Sequence, residues 1–88
     1  MKRKIIDLHG LTVDQAISAV ILAYDEAFED YCDELQIITG HGSGALKISI
    51  EDWLIKENSS YYEDKQSASF IVNINDDFGD DLYDDKYN

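Results

Sequence analysis

Two short aliphatic runs, Lys4 to Leu8 (KIIDL) and Leu35 to Thr39 (LQIIT), each stop near a glycine and lead into a stretch of helical period. That alternation constrains the fold more than any other feature of the chain. Short, β-branched runs bounded by glycine read as strands. After the first, Thr12-Val13-Asp14-Gln15 has the form of a capping box, with Thr12 as N-cap and Gln15 at the third helical position. Val13, Ala16, Ile17, Val20, Tyr24, Ala27, Phe28 and Tyr31 then recur at three- and four-residue steps. They predict one broad apolar stripe on a helix of about five turns. After the second run, the loop Gly40 to Gly44 opens a helix from Ala45 to about Lys56, with Leu46, Ile50, Trp53 and Leu54 inward and Ile48 at the edge. Tyr61 to Lys65 reads as a short edge strand and Ser69 to Ile74 (SFIVNI) as a further strand.

The order is therefore βαβα followed by one or two strands. Strand–helix–strand crossovers are right-handed, so the first strands run parallel and both helices fall on one face. Two helices are too few to cover both faces of a sheet. The expected fold class is α/β: a two-layer sandwich with both helices on one face of a small mixed sheet.

The 88 residues make one domain, expected at 1–75, followed by an acidic tail at 76–88. The tail holds six Asp and one Lys, a net −5, and that acid density argues for disorder. Six more acids crowd Asp25 to Glu34, where they read as a solvated helix end. A single cysteine, Cys32, makes no internal disulfide and fits a reducing, cytoplasmic setting. No apolar stretch is long enough for a signal peptide or a span, so no membrane partner is expected. A net charge of −12 argues at first against nucleic acid. Yet Lys2, Arg3 and Lys4 precede the first strand and Lys47 follows the glycine loop, so the basic residues are segregated.

Parallel α/β units hold ligands beyond the carboxyl ends of their strands. The first strand ends in Asp7-Leu8-His9-Gly10 and the second in Thr39-Gly40-His41-Gly42-Ser43-Gly44, so both histidines of the chain are expected on one rim. Strand alternation puts Asp7 and His9 on the same side. Alternate glycines let backbone approach a ligand, the second helix starts there, and Lys47 adds a full charge, which together suit an anion. Histidine titrates near neutrality, so one imidazole can take a proton while another delivers one. Asp7 could orient His9 or hold a divalent metal such as Mg²⁺ beside a phosphate. The set suits phosphodiester cleavage. The loop is neither a Walker P-loop nor a Rossmann loop, because both spacings are absent.

Taken together, Ile6-Asp7-Leu8-His9-Gly10-Leu11-Thr12 and Thr39-Gly40-His41-Gly42-Ser43-Gly44 resemble the two motifs of the Smr (small MutS-related) domain family, L-D-L-H-G-L-T and [TH]-G-x-G-x-G. Ala45-Leu46-Lys47 fits the stretch that follows the second motif, and the resemblance covers roughly residues 4 to 75. It implies a sandwich similar to the C-terminal domain of translation initiation factor three, nucleic-acid binding, and endonuclease activity on DNA or RNA. By position it puts Asp7 and His9 on the catalytic pair, Thr39, Gly40, His41, Gly42 and Gly44 on the second motif, and Lys47 on the basic position after it. One departure stands out: the family's glycine-rich loop before the last strand is here Asp64-Lys65-Gln66-Ser67-Ala68, without glycine.

The resulting expectation is a stand-alone Smr-type endonuclease, on RNA rather than DNA, with Asp7, His9 and His41 catalytic. Arg3, Lys4, Thr39, Gly40, Gly42, Ser43, Gly44 and Lys47 are expected to bind phosphate. No cofactor is required by the sequence beyond that optional metal. A ribosome or targeting protein is the expected further partner, given the weak general affinity of so acidic a chain. The rival reading is a non-catalytic nucleic-acid or ribosome-binding module using the same loop.

Overall fold

The computed structural model describes residues 1–42 and 44–74. Ser43 and the expected tail at 76–88 lie outside the described residues. The elements are β1 (Arg3–Asp7), α1 (Val13–Glu29), β2 (Glu34–Ile38), α2 (Gly44–Lys56), β3 (Ser60–Asp64) and β4 (Ser69–Asn73). The sheet order is β1-β2-β4-β3. β1 and β2 are parallel, and β4 runs antiparallel to both β2 and β3, so the sheet is mixed. β2 and β3 therefore point the same way. The crossovers through α1 and α2 step in the same direction across the sheet, which puts the two helices on one face. The two-layer sandwich expected from the sequence is the fold observed.

Sheet alternation sends Leu35 and Ile37 of β2 and Phe70 and Val72 of β4 toward the helices. There they join Ala16, Val20, Ala23 and Ala27 of α1 and Leu46, Ile50 and Leu54 of α2 in one buried cluster. Tyr24 meets Trp53 edge-on across the helix seam, and Tyr61 meets Phe70 in the same way. α1 starts at the expected capping box: Thr12 accepts from the Gln15 N–H, and the Gln15 side chain accepts from the Thr12 N–H.

Three residues of the expected stripe do not join the core: Val13 is 37% exposed, Phe28 61% and Tyr31 85%, while Ala23, outside the expected stripe, is buried. The reason for Tyr31 is the way α1 stops. The Cys32 N–H donates to the Ala27 carbonyl and the Tyr31 N–H to that of Phe28, with Tyr31 at φ 58°. This is a Schellman cap with tyrosine in the left-handed position and Cys32 buried as its apolar closing contact. α2 ends in the same way, with Asn58 at φ 57° and Ser59 donating to Leu54.

The acids near the end of α1 are also not merely solvated. The Lys2 N–H donates to Asp33, and the Lys2 ammonium to the Asp30 carbonyl. Arg3 donates twice to Glu34 and once to Gln36, and Lys4 pairs with Glu26 at 3.2 Å. Part of the segregated charge thus fastens β1 to its neighbours.

Candidate functional site

β1 ends at Asp7, but Leu8 still donates to the Ile38 carbonyl at 2.8 Å and is 1% exposed. That anchors a turn closed by the Leu11 N–H on the Leu8 carbonyl at 3.1 Å, with Gly10 at φ +83° in the third position. A left-handed residue is required there, and glycine takes it without steric cost. On this turn Asp7 Oδ1 accepts from both the His9 backbone N–H (3.1 Å) and its ring Nδ1 (2.7 Å). Asp7 and His9 do meet, through a side chain folded back on its own turn rather than through the pleat of a strand that has already ended. The hydrogen bond from the ring, then that from the backbone, holds the Asp7 carboxyl below its ordinary value. With Nδ1 engaged, the His9 ring keeps Nε2 without a partner among the described residues, on a side chain 74% exposed.

The second loop is clasped from the other side of the sheet. The Ala68 carbonyl accepts from the N–H groups of Thr39 (2.9 Å) and Gly40 (3.3 Å) and from the Thr39 hydroxyl (3.3 Å). Thr39 is buried, so its hydroxyl holds the loop instead of facing a ligand. Ala68 sits in the β3–β4 turn at φ 53°, a left-handed position that a non-glycine residue takes at some steric cost.

Gly40 joins the two motifs. Its φ is +90°, and a Cβ on it would lie 3.2 Å from the His9 Cβ. Gly40→Ala is expected to cost about 1–3 kcal/mol from backbone strain and to push His9 off its turn. Thermal unfolding and the His9 ring resonances check both effects. Gly42 and Gly44 differ: a Cβ on either meets nothing within 4 Å, and neither has a positive φ. The fold does not ask for glycine at these positions. Their bare backbone leaves open space before the amino-terminal end of α2, where the helix dipole favours negative charge.

Beside this loop is a cleft of about 320 Å³, lined by Thr39, Gly40, His41, Lys47, Glu63, Lys65, Ala68, Ser69 and Phe70. His41 and Lys47 line it, and His9 does not. Lys47, however, is not a free cation: its ammonium is 2.6 Å from Glu63 Oε2 on β3. Glu63, with Glu51 behind it, raises Lys47 above the ordinary lysine value. Arg3 and Lys4 are not brought to the cleft. Arg3 pairs in register with Glu34, at the opposite end of β1 from Asp7. Lys4 is held against α1 by Glu26. The sequence reading leaves out five cleft residues, Glu63, Lys65, Ala68, Ser69 and Phe70, of which Glu63 and Lys65 are charged. Their signal is the period-two spacing of 61, 63 and 65, legible only once β3 is known to border α2.

Asp7 offers a metal little support. Its Oδ1 is already shared by two donors from His9, and no group of three or more His, Cys, Asp or Glu side chains is gathered among the described residues. The described side chains do not form an all-protein cage for a resident metal ion.

The Smr domain model matches residues 6–70, which spans both turns, the loop, the cleft and β4 as far as Phe70. The chain belongs to the Smr domain family. The crystal structure of the Smr domain of Thermus thermophilus MutS2 is 29% identical, with a TM-score of 0.73 over 80% of this chain and 95% of that one. The human small-MutS related domain is 26% identical, with a TM-score of 0.71 over 78% of this chain and 98% of that one. The B3BP Smr domain, at 24% identity and a TM-score of 0.71 over 81% and 77% of the two chains, shares the fold. A curated relative, Endonuclease MutS2 of Gemmatimonas aurantiaca, is 38% identical over 52 residues, or 59% of this chain. This Smr domain spans only 6% of that protein's length.

Proposed function

We propose that this Smr domain binds nucleic acid across the rim formed by His9, Gly40 to Gly44 and Lys47, and cleaves RNA there. The observation that carries the reading is the Asp7–His9 pair packed against Gly40, one residue before His41. A carboxylate holding Nδ1–H fixes the tautomer in which Nε2 accepts a proton. On RNA, His9 Nε2 takes the proton of a 2′-hydroxyl, whose oxygen attacks the adjacent phosphorus. The P–O5′ bond breaks and His41, as imidazolium, protonates the leaving oxygen. The products are a 2′,3′-cyclic phosphate and a 5′-hydroxyl. RNA is favoured over DNA because its nucleophile is already in the substrate, which suits a site whose donor set does not gather a metal. Open backbone at Gly42 and Gly44 gives the phosphate room to approach.

The test is a side-by-side assay of a labelled single-stranded RNA and a supercoiled DNA circle, each with Mg²⁺ and with chelator. RNA cleavage that survives the chelator supports the reading. Nicking of DNA that needs Mg²⁺, with RNA intact, replaces it with metal-assisted hydrolysis. Binding of either without cleavage reduces the domain to a binding module. A ribosome or a targeting protein is a proposed further partner, since the net charge of −12 leaves little general affinity for phosphate.

A further inference from the structure

The proposed function leaves one carboxylate of the cleft without a role. Glu63 lines the same cleft as His41 and Lys47, and its Oε2 lies 2.6 Å from the Lys47 ammonium. The pair is half-open to solvent, with the two side chains 42% and 26% exposed, so it can be exchanged without unfolding. It is not needed to hold β3, whose ladder to β4 runs from Ser60 to Asp64 and whose Tyr61 is fixed on Phe70 and Glu51. Lys65, across the cleft, has no ion pair among the described residues.

We infer that Glu63 is a built-in competitor for the phosphate: it occupies Lys47 as an internal counter-anion, and nucleic acid must displace it to engage the site. The inference rests on the proposed binding of phosphate at this loop. Its consequence is a threshold. A small anion gains Lys47 only by giving up the ion pair already there, so free phosphate binds poorly. A polynucleotide adds contacts at Lys65 and the open loop backbone, and these offset the displacement. The raised affinity of Lys47 for its proton agrees with an ammonium already satisfied by a carboxylate.

The experiment measures binding of inorganic phosphate and of a twelve-nucleotide single-stranded RNA to the full chain, as wild type, Glu63→Gln, Lys47→Gln and the double variant. Glu63→Gln keeps the shape of the side chain and removes its charge. It is expected to tighten both ligands by about 1.5–5-fold, the range of an exposed ion pair. Without Lys47 the gain should vanish, so Lys47→Gln and the double variant should bind alike. Unchanged affinity in Glu63→Gln, with wild type binding RNA, overturns the competitor alone. A gain that persists without Lys47 overturns it too, as a general effect of charge. Failure of every form to bind RNA at low salt overturns the proposed function and the competitor together. Thermal unfolding of each variant confirms that the folded chain is what was measured.

Discussion

His9→Ala is expected to lower RNA cleavage by about 10²–10⁴-fold, the usual contribution of a positioned general acid or base. The loss should fall on kcat with the affinity for RNA nearly unchanged, because the phosphate-facing backbone and Lys47 are untouched. The His9 side chain is 74% exposed, so the variant should unfold at the wild-type temperature, which separates lost chemistry from lost structure. Asp7→Asn should give a smaller loss: the amide oxygen still accepts from the His9 backbone, but the ring loses its charged partner. The pH dependence has a definite sign. The Asp7 carboxyl is held below its ordinary 3.8, so its contribution is complete above that value. It is lost only as pH falls through the lower folded value. Titrating the Asp7 carboxyl resonance in wild type and His9→Ala checks this, since the variant should return Asp7 toward 3.8. A cleavage rate unchanged in His9→Ala would remove it from the chemistry.

The second large effect is on stability. Phe70 is 1% exposed, lies between the sheet and the helices, and stacks edge-on with Tyr61 at 5.7 Å. Phe70→Ala removes that ring and leaves a cavity, at a cost of about 3–5 kcal/mol. For a domain of this size each kcal/mol moves Tm by roughly 4–8 °C, so a fall of well over 10 °C is expected in a thermal melt. Because Phe70 also floors the cleft, the variant should bind RNA more weakly even where it remains folded. A melt within a few degrees of wild type would mean that the helices collapse onto the gap.

Much of this arrangement was legible in the chain. The strand–glycine–helix units carried the topology because right-handed crossovers leave few alternatives, and Thr12 with Gln15 marked the start of α1. Asp7 and His9 were legible as a pair, though by the wrong geometry, since periodicity does not say where a strand stops. Tyr31 misled because the Schellman cap ends the helix in a left-handed tyrosine, where sequence patterns look for glycine or asparagine. The basic residues misled most. Lys47, Arg3 and Lys4 were read as charges facing a ligand, yet each meets a carboxylate brought from a distant part of the chain: Glu63, Glu34 and Glu26. Counting charges along a sequence does not reveal which pairs the fold will close.

The Ala68 carbonyl has a consequence for the order of assembly. Among the described residues β3 pairs only with β4, and β4 also pairs with the side of β2 away from β1. A chain growing from its amino end therefore completes both motifs and α2 while the middle of the sheet is still missing. Only when Ala68 and the five residues after it arrive can Thr39 and Gly40 be tied down, Glu63 be set beside Lys47, and the cleft acquire its floor. The cleft is begun early in the sequence and finished last, so a nascent chain carries its histidines well before the cleft beside His41 is closed.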